Sequence, residues 1–212
     1  MTPPPDRRSR KRLATRRAIS VVADRLFLER GFENVTVDEI AAAADVGRMT
    51  VFNHFPRKED MFFDREEEGM ETICEALQRR DPLVSPVETL RLLAHRLIAE
   101  QVPYLQFSAD SQGFIETVER SETLKARARA IRDEIAHAVT AALAESVGRG
   151  AADAGAYLAA ELLLATWTAA FLLAHQTFRQ QLDADAARAL FLAIVDKGTM
   201  GLRAAMAGTP YA

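Results

Sequence analysis

The sequence holds very little cysteine, proline and glycine: among its 212 residues there are one cysteine, eight prolines and ten glycines. The single cysteine, Cys74, excludes an internal disulfide and a cysteine-rich metal site, and it fits a reducing compartment such as the cytoplasm. So little glycine and proline argues against collagen-like, low-complexity and turn-rich all-β proteins. Alanine, leucine, arginine and glutamate, which favour helices, dominate the chain instead. We therefore expect an all-α protein.

The sequence also lacks a clear export or membrane-spanning segment. No apolar stretch of signal-peptide length follows the basic N-terminus, which predicts no secretion signal. Residues 154–174 approach the length of a membrane span, but they are rich in alanine and carry Glu161. A glutamate inside a bilayer costs roughly 2.5 kcal/mol or more. The segment is therefore predicted to be a fully buried helix of a cytoplasmic protein, with no membrane partner.

Charge is unevenly distributed along the chain. Residues 1–60 hold 12 Lys and Arg against 9 Asp and Glu, whereas the remainder holds 15 against 21. This asymmetry predicts that only the first part of the chain meets a polyanion. Residues 1–10 contain three consecutive prolines and are predicted to form a flexible basic arm. Such an arm is either a solubilising tail or a segment that lies along DNA phosphates or in a minor groove.

Helical periodicity covers the chain after this arm. A capping box at Thr36 and Glu39 predicts the start of one helix, Gly31 predicts the left-handed end of the preceding one, and Pro56 predicts a stop. The apolar spacing predicts helices at about 11–30, 37–44, 48–54, 57–79, 86–108, 112–120, 122–147, 153–178 and 183–206.

Two of these predicted helices are short and are joined by a tight turn behind a basic N-terminus. That arrangement is typical of a helix-turn-helix DNA reader, whose second helix lies in the major groove. Val46, Val51 and Phe55 share the inner face of the second helix. The outer face presents side chains that suit base edges or a thymine methyl group, namely Arg48, Met49, Thr50, Asn53 and His54.

Residues 36–62, TVDEIAAAADVGRMTVFNHFPRKEDMF, closely resemble the signature of the TetR family of transcriptional regulators. That signature runs approximately T-V-x-x-I-A-x-x-A-G-V-S, then a short helix ending in Y-x-Y/H-F, then x-x-K-E-x-L. The resemblance implies a three-helix DNA-binding domain over residues 11–60, followed by a larger helical regulatory domain over 61–212. The regulatory domain would hold a ligand pocket and a dimer interface.

The resemblance also implies a role for individual residues. Thr36, His54 and Lys58 would contact phosphates, and the base-reading positions would be Arg48, Met49, Thr50 and Asn53. Phe52 stands where the family has a phosphate-binding tyrosine, so it either contacts DNA or only packs. Asp45 replaces the usual glycine of the turn, and Gly47 replaces the serine or threonine that usually caps the recognition helix.

In the regulatory domain the resemblance implies a homodimer, formed through about 153–178 and 183–206. It also implies a pocket for a small-molecule effector of unknown identity. Plain core packing is the alternative interpretation of each pocket candidate. These candidates are Gln101, Tyr104, Phe107, Trp167, Phe171 and His175.

Motifs of catalysis and metal binding are not found in the sequence. We therefore predict no enzyme, no metal and no cofactor apart from the effector. The function implied is that of a ligand-responsive repressor, which binds a palindromic DNA operator as a dimer. The alternatives are a helical small-molecule-binding protein whose helix-turn-helix is structural, and an adaptor that uses the apolar 158–174 segment to bind another protein.

Overall fold

The computed structural model describes residues 7–64 and 66–212, apart from the side chains of residues 7, 9, 66 and 67. Within these ranges the chain is helical, as predicted. The α-helices are α1 (Arg7–Arg30), α2 (Val37–Ala43), α3 (Arg48–His54), α4 (Lys58–Phe62), α5 (Glu66–Gln78), α6 (Pro86–Ala99), α7 (Ala109–Arg120), α8 (Glu122–Ser146), α9 (Ala154–Gln181) and α10 (Ala184–Ala205). Two 3₁₀ turns lie at Phe32–Asn34 and Pro103–Leu105.

The predicted arm over residues 1–10 is wrong for its last four residues. Helix α1 already begins at Arg7, because arginine and lysine favour helices and no proline interrupts the chain from there. Residues 1–6 of the predicted arm lie outside the described residues. The basic residues at positions 8 to 12 therefore belong to a helix.

Two long predicted helices end earlier than expected. The 57–79 helix is divided into α4 and α5, because Met61 and Phe63 are both buried although they would lie on opposite sides of one helix. The 86–108 helix ends at Ala99, where Gln101 adopts a positive φ of 51° and Pro103 prevents further α-helical pairing.

The chain divides into two compact units. The first unit comprises the described residues up to Asp64 together with residues 117–127, and the second comprises residues 66–116 and 128–212. The later segment is held within the first unit by side chains: Ser121 Oγ donates to Glu33 Oε1, and Arg127 Nε donates to Asp60 Oδ1 at 2.8 Å. The predicted boundary between residues 60 and 61 differs here, since it assigns residues 117–127 to the regulatory domain and not to the first unit.

Helices α9 and α10 form the main packed pair of the second unit. They are joined at Leu182, which adopts a left-handed conformation with φ 54°. Farther along the two helices, Gly198 of α10 allows α10 to approach Thr166 of α9 closely, since a Cβ atom at position 198 would lie 2.7 Å from Thr166 Oγ1.

Helix α9 is not fully buried in this chain, contrary to the prediction. It is long and apolar enough to cross a membrane, a property that core helices of soluble proteins share, and only 33% of its most apolar window is buried. The exposed apolar side chains of α9 include Leu158, Leu162, Leu172 and Leu173. Burial fails because a helix that is apolar on nearly every face needs cover on every side.

Candidate nucleic-acid interface

Helix α2 begins with the predicted capping box. Glu39 N–H donates to Thr36 Oγ1 at 3.2 Å, and Thr36 N–H donates to the Glu39 carboxylate at 2.8 Å. Arg30 lies 2.6 Å from the same carboxylate. The hydrogen bonds from Thr36, with help from Arg30, lower the pKa of Glu39 to about 2. The start of α2 is therefore fixed by local contacts that the sequence pattern predicts.

The turn between α2 and α3 is made without its usual glycine. Asp45 adopts φ 52°, a left-handed conformation that aspartate tolerates better than most residues. Val46 N–H then donates to Ala41 O at 3.0 Å and closes the turn. Gly47 caps α3 in an extended conformation with no side-chain hydrogen bond. Both substitutions in the turn are thus compatible with a helix-turn-helix.

Helix α3 has one buried and one exposed face. Val51 and the adjoining Phe55 are completely buried, and they anchor the helix to the first unit. Met49 is 70% exposed. Of the other side chains predicted to face DNA, those of Arg48 and Asn53 are exposed. Those of Thr50, Phe52 and His54 are half-buried. The exposed face therefore holds polar and apolar groups of the kind that read base edges.

Arg48 makes two contacts on this exposed face. Its Nη1 lies 2.7 Å from Asp38 Oδ2, and its guanidinium lies 5.4 Å from the centre of the Phe52 ring. Both partners of the ion pair are more than half exposed, so the pair contributes little stability and is easily exchanged. Phe52 packs beside the guanidinium, which gives this residue a role that needs no tyrosine hydroxyl.

Lys58 is engaged inside the first unit. Its Nζ donates to Phe32 O at 2.9 Å and to Val35 O at 3.1 Å, and it lies 4.0 Å from the centre of the Phe32 ring. A lysine ammonium has three donors, so the phosphate role that the sequence predicts would have to use the third. Lys58 thus stabilises the segment before α2.

A basic groove lies beside the end of α3. It has a volume of about 400 Å³ and is lined by Arg8, Lys11, Arg12, Thr15 and His54. The four α1 residues are spaced at i, i+3, i+4 and i+7, so they share one face of that helix. Burial lowers the pKa of His54, and the charges of Arg12 and Arg16 lower it further.

The groove adds residues that the predicted contact set omits. Arg8 falls in the predicted flexible arm, and Lys11 and Arg12 fall at the start of the first predicted helix, but none of the three is among the predicted DNA contacts. Arg16 was also missed: its guanidinium donates to His54 O at 2.9 Å, lies 2.6 Å from Asp64 Oδ1 and stacks 4.4 Å from the Phe55 ring centre. These contacts fix the end of α3 against α1.

Four of the six pocket candidates come together in the second unit. His175 lies between rings, with its centroid 4.4 Å from that of Phe171 and 4.9 Å from that of Phe107. Phe191, which was not predicted, lies 6.2 Å from Phe107 and 6.4 Å from Trp167. We call these five residues the aromatic cluster: Phe107, Trp167, Phe171, His175 and Phe191.

The remaining two candidates lie apart from these contacts. Gln101 is exposed on the turn after α6, because its positive φ ends the helix. Tyr104 donates its hydroxyl to Thr72 Oγ1 at 3.3 Å. Within residues 7–64 and 66–212, no three His, Cys, Asp or Glu side chains are grouped so that they could hold a metal ion.

Comparisons with known proteins agree with this geometry. Residues 19–64 match the family described as "Bacterial regulatory proteins, tetR family". The curated "HTH-type transcriptional regulator SAB2452" of Staphylococcus aureus (strain bovine RF122 / ET3-1) is 28% identical over 108 residues, which cover 50% of this chain and 55% of the relative. The match therefore spans about half the length of that protein.

Solved structures share the fold over most of the chain. The SmeT–triclosan complex, from Stenotrophomonas maltophilia, is 21% identical with a TM-score of 0.55, and the alignment covers 89% of this chain and 91% of SmeT. Salmonella enterica GusR is 21% identical with a TM-score of 0.54, covering 91% and 95%. Thermus thermophilus FadR with lauroyl-CoA is 22% identical with a TM-score of 0.52, covering 88% and 92%. The helix-turn-helix of this chain therefore matches the tetR family of bacterial regulatory proteins, and most of the chain shares the fold of these solved structures.

Proposed function

We propose that this chain is a ligand-responsive repressor that binds palindromic operator DNA as a homodimer in the cytoplasm, without an enzymatic activity. The observation that carries the proposal is the exposed polar face of α3 beside the basic groove. A recognition helix needs such a face for bases, and flanking cations are needed for the phosphates on either side.

Each part of this surface has a distinct task in the proposal. Arg48, Met49, Thr50 and Asn53 read base edges in the major groove. His54 and the cations of the basic groove hold one phosphate, and Thr36 contacts the backbone nearby. Phe52 supports the Arg48 guanidinium, which releases Asp38 when it meets DNA. Phosphate contacts of this kind position the helix, and the base contacts supply specificity.

Dimerisation is supported by the exposed apolar side chains of α9 and α10. Leu158, Leu172 and Leu173 on α9 are each more than 40% exposed, and Met200 on α10 is 72% exposed. A second copy of the chain would cover these side chains. A two-fold dimer would present two α3 helices to two half-sites about one DNA turn apart.

Regulation would link an effector in the second unit to DNA affinity in the first. The solved complexes of SmeT with triclosan and of FadR with lauroyl-CoA show that proteins of this fold hold small molecules. Linkage requires that DNA weakens effector binding by the same factor by which the effector weakens DNA binding.

Selection of bound duplexes from a random pool, read at about 50 mM and 200 mM salt, tests the proposal. We expect a palindrome to be enriched, and we expect affinity to fall by 10³ or more between these salt concentrations, as with 6–10 phosphate contacts. Enrichment of a single unpaired half-site would contradict the dimer. No enrichment at either salt concentration would contradict the DNA-binding function.

The Arg12→Ala variant tests the basic groove. Loss of one phosphate contact should weaken binding uniformly across sequences and reduce the slope of log affinity against log salt by about 1. Arg25→Ala is the matched control, since Arg25 is an exposed arginine of α1 outside the groove. Filter binding to the selected duplex and to a scrambled one gives both slopes. An unchanged slope for Arg12→Ala would show that the groove holds no phosphate.

A further inference from the structure

The aromatic cluster contains buried polar atoms that have no partner. His175 is 2% exposed, and neither of its ring nitrogens makes a hydrogen bond. Trp167 Nε1 is also buried and unpaired. Each unpaired buried group opposes folding, whereas an apolar side chain in its place would not. Two such groups in one cluster are therefore available to a hydrogen-bonding partner from outside the chain.

The surroundings of His175 define what this partner can be. The imidazole contacts the faces and edges of Phe107 and Phe171. Burial in these surroundings lowers the pKa of His175 to about 4, so the ring is neutral near pH 7. A neutral imidazole offers one N–H donor and one nitrogen acceptor. Trp167 adds a second donor.

Three members of the aromatic cluster lie on α9 and differ in how deeply they are buried. Trp167, Phe171 and His175 recur every four residues, so they lie on one face of the helix. His175 is buried, whereas Trp167 and Phe171 are only half-buried. The two polar residues are separated by two helical turns, about 12 Å along the axis. Trp167 thus lies at the more exposed end of this face, and His175 lies at its buried end.

We propose that the aromatic cluster binds an uncharged aromatic molecule whose hydroxyl or carbonyl oxygen hydrogen-bonds to His175 or Trp167. The rings favour a flat apolar body, and the unpaired nitrogens require an oxygen on it. A charged ligand is disfavoured, because a buried ion needs a partner of opposite charge and a neutral imidazole does not supply one. That this molecule is the effector rests on the function proposed above.

Calorimetry with three matched probes tests this inference on the full-length protein without DNA. The three probes share one ring system. Naphthalene carries no polar group, 2-naphthol carries a hydroxyl group, and 2-naphthoate carries a carboxylate. We expect 2-naphthol to bind about tenfold more tightly than either of the others at pH 7.4. His175→Phe and Trp167→Phe keep an aromatic ring but remove the polar atoms, so at least one should abolish the preference over naphthalene. His137→Gln, at an exposed histidine of α8, is the control that should retain it.

Three results would overturn the inference: tightest binding of 2-naphthoate, equal binding of naphthalene and 2-naphthol, or no binding of any probe. Retention of the preference in both variants, each with a far-UV circular dichroism spectrum like that of the wild type, would also overturn it. The test is independent of DNA. If the protein selects a palindromic duplex but binds none of the probes, only this inference is contradicted. If it binds the probes as expected but selects no duplex, only the repressor function is contradicted.

Discussion

Replacing Phe55 by alanine should destabilise the first unit by about 3–5 kcal/mol and abolish DNA binding. Phe55 follows α3 directly and is completely buried, with the Arg16 guanidinium 4.4 Å from its ring centre. Truncation removes a large apolar side chain, leaves a cavity and removes the ring on which the Arg16 guanidinium stacks. The end of α3 would then lose its apolar anchor and would be held to α1 mainly by the hydrogen bond from Arg16 to His54 O.

Met49→Ala is the matched control, since Met49 is on the same helix but 70% exposed. It should leave the stability of the first unit within about 0.5 kcal/mol of the wild type while changing base preference. The chain has two units, so amide hydrogen exchange of peptides from α1 to α4 is a better measure than a single unfolding midpoint. Unchanged protection in Phe55→Ala would show that α3 is not anchored through this ring.

Features set by neighbours in sequence were predicted well. The Thr36–Glu39 capping box depends on residues three apart, and the positive φ of Asp45 follows from a turn that must occur between two short helices. The buried pair Val51 and Phe55 follows from helical spacing alone. Each of these features is determined within a few residues, so a single sequence is sufficient.

Features set by distant contacts were not predicted. Residues 117–127 join the first unit through Arg127 and Asp60, which are 67 positions apart, and no local pattern encodes that pairing. Lys58 meets carbonyl groups more than 20 residues earlier. The aromatic cluster was predicted only in part: the helix period brings Trp167, Phe171 and His175 together, whereas Phe191 joins from another helix.

Acid should destabilise the second unit through His175. The folded-state pKa of about 4 lies below the unfolded value of 6.5, so protons favour the unfolded state. The stability that depends on a neutral His175 is therefore present above pH 6.5 and is lost as the pH falls toward 4. The pKa difference corresponds to about 3 kcal/mol. His175→Phe should not show this loss, and it should be more stable than the wild type even at pH 7, because it buries no unpaired nitrogen.

Urea unfolding between pH 7 and pH 4, followed by the fluorescence of the single tryptophan, Trp167, measures this difference within the second unit. Other titrating groups are common to both proteins and cancel in the comparison, provided that protein concentration is held constant. His137→Gln should follow the wild type. Parallel pH dependence of the wild type and His175→Phe would show that His175 is not buried as a neutral ring.

Because the folded-state pKa of His175 is low, the stability of the second unit and its affinity for an uncharged ligand should depend differently on pH. Folded His175 stays neutral down to about pH 4, so the affinity of the folded protein for 2-naphthol should be constant from pH 8 to pH 5. The free energy of unfolding should already fall below pH 6.5, because that change arises in the unfolded chain. Affinity that declined together with stability would mean that the folded histidine titrates near its ordinary pKa, and the unpaired nitrogens would then have a charged or solvent partner.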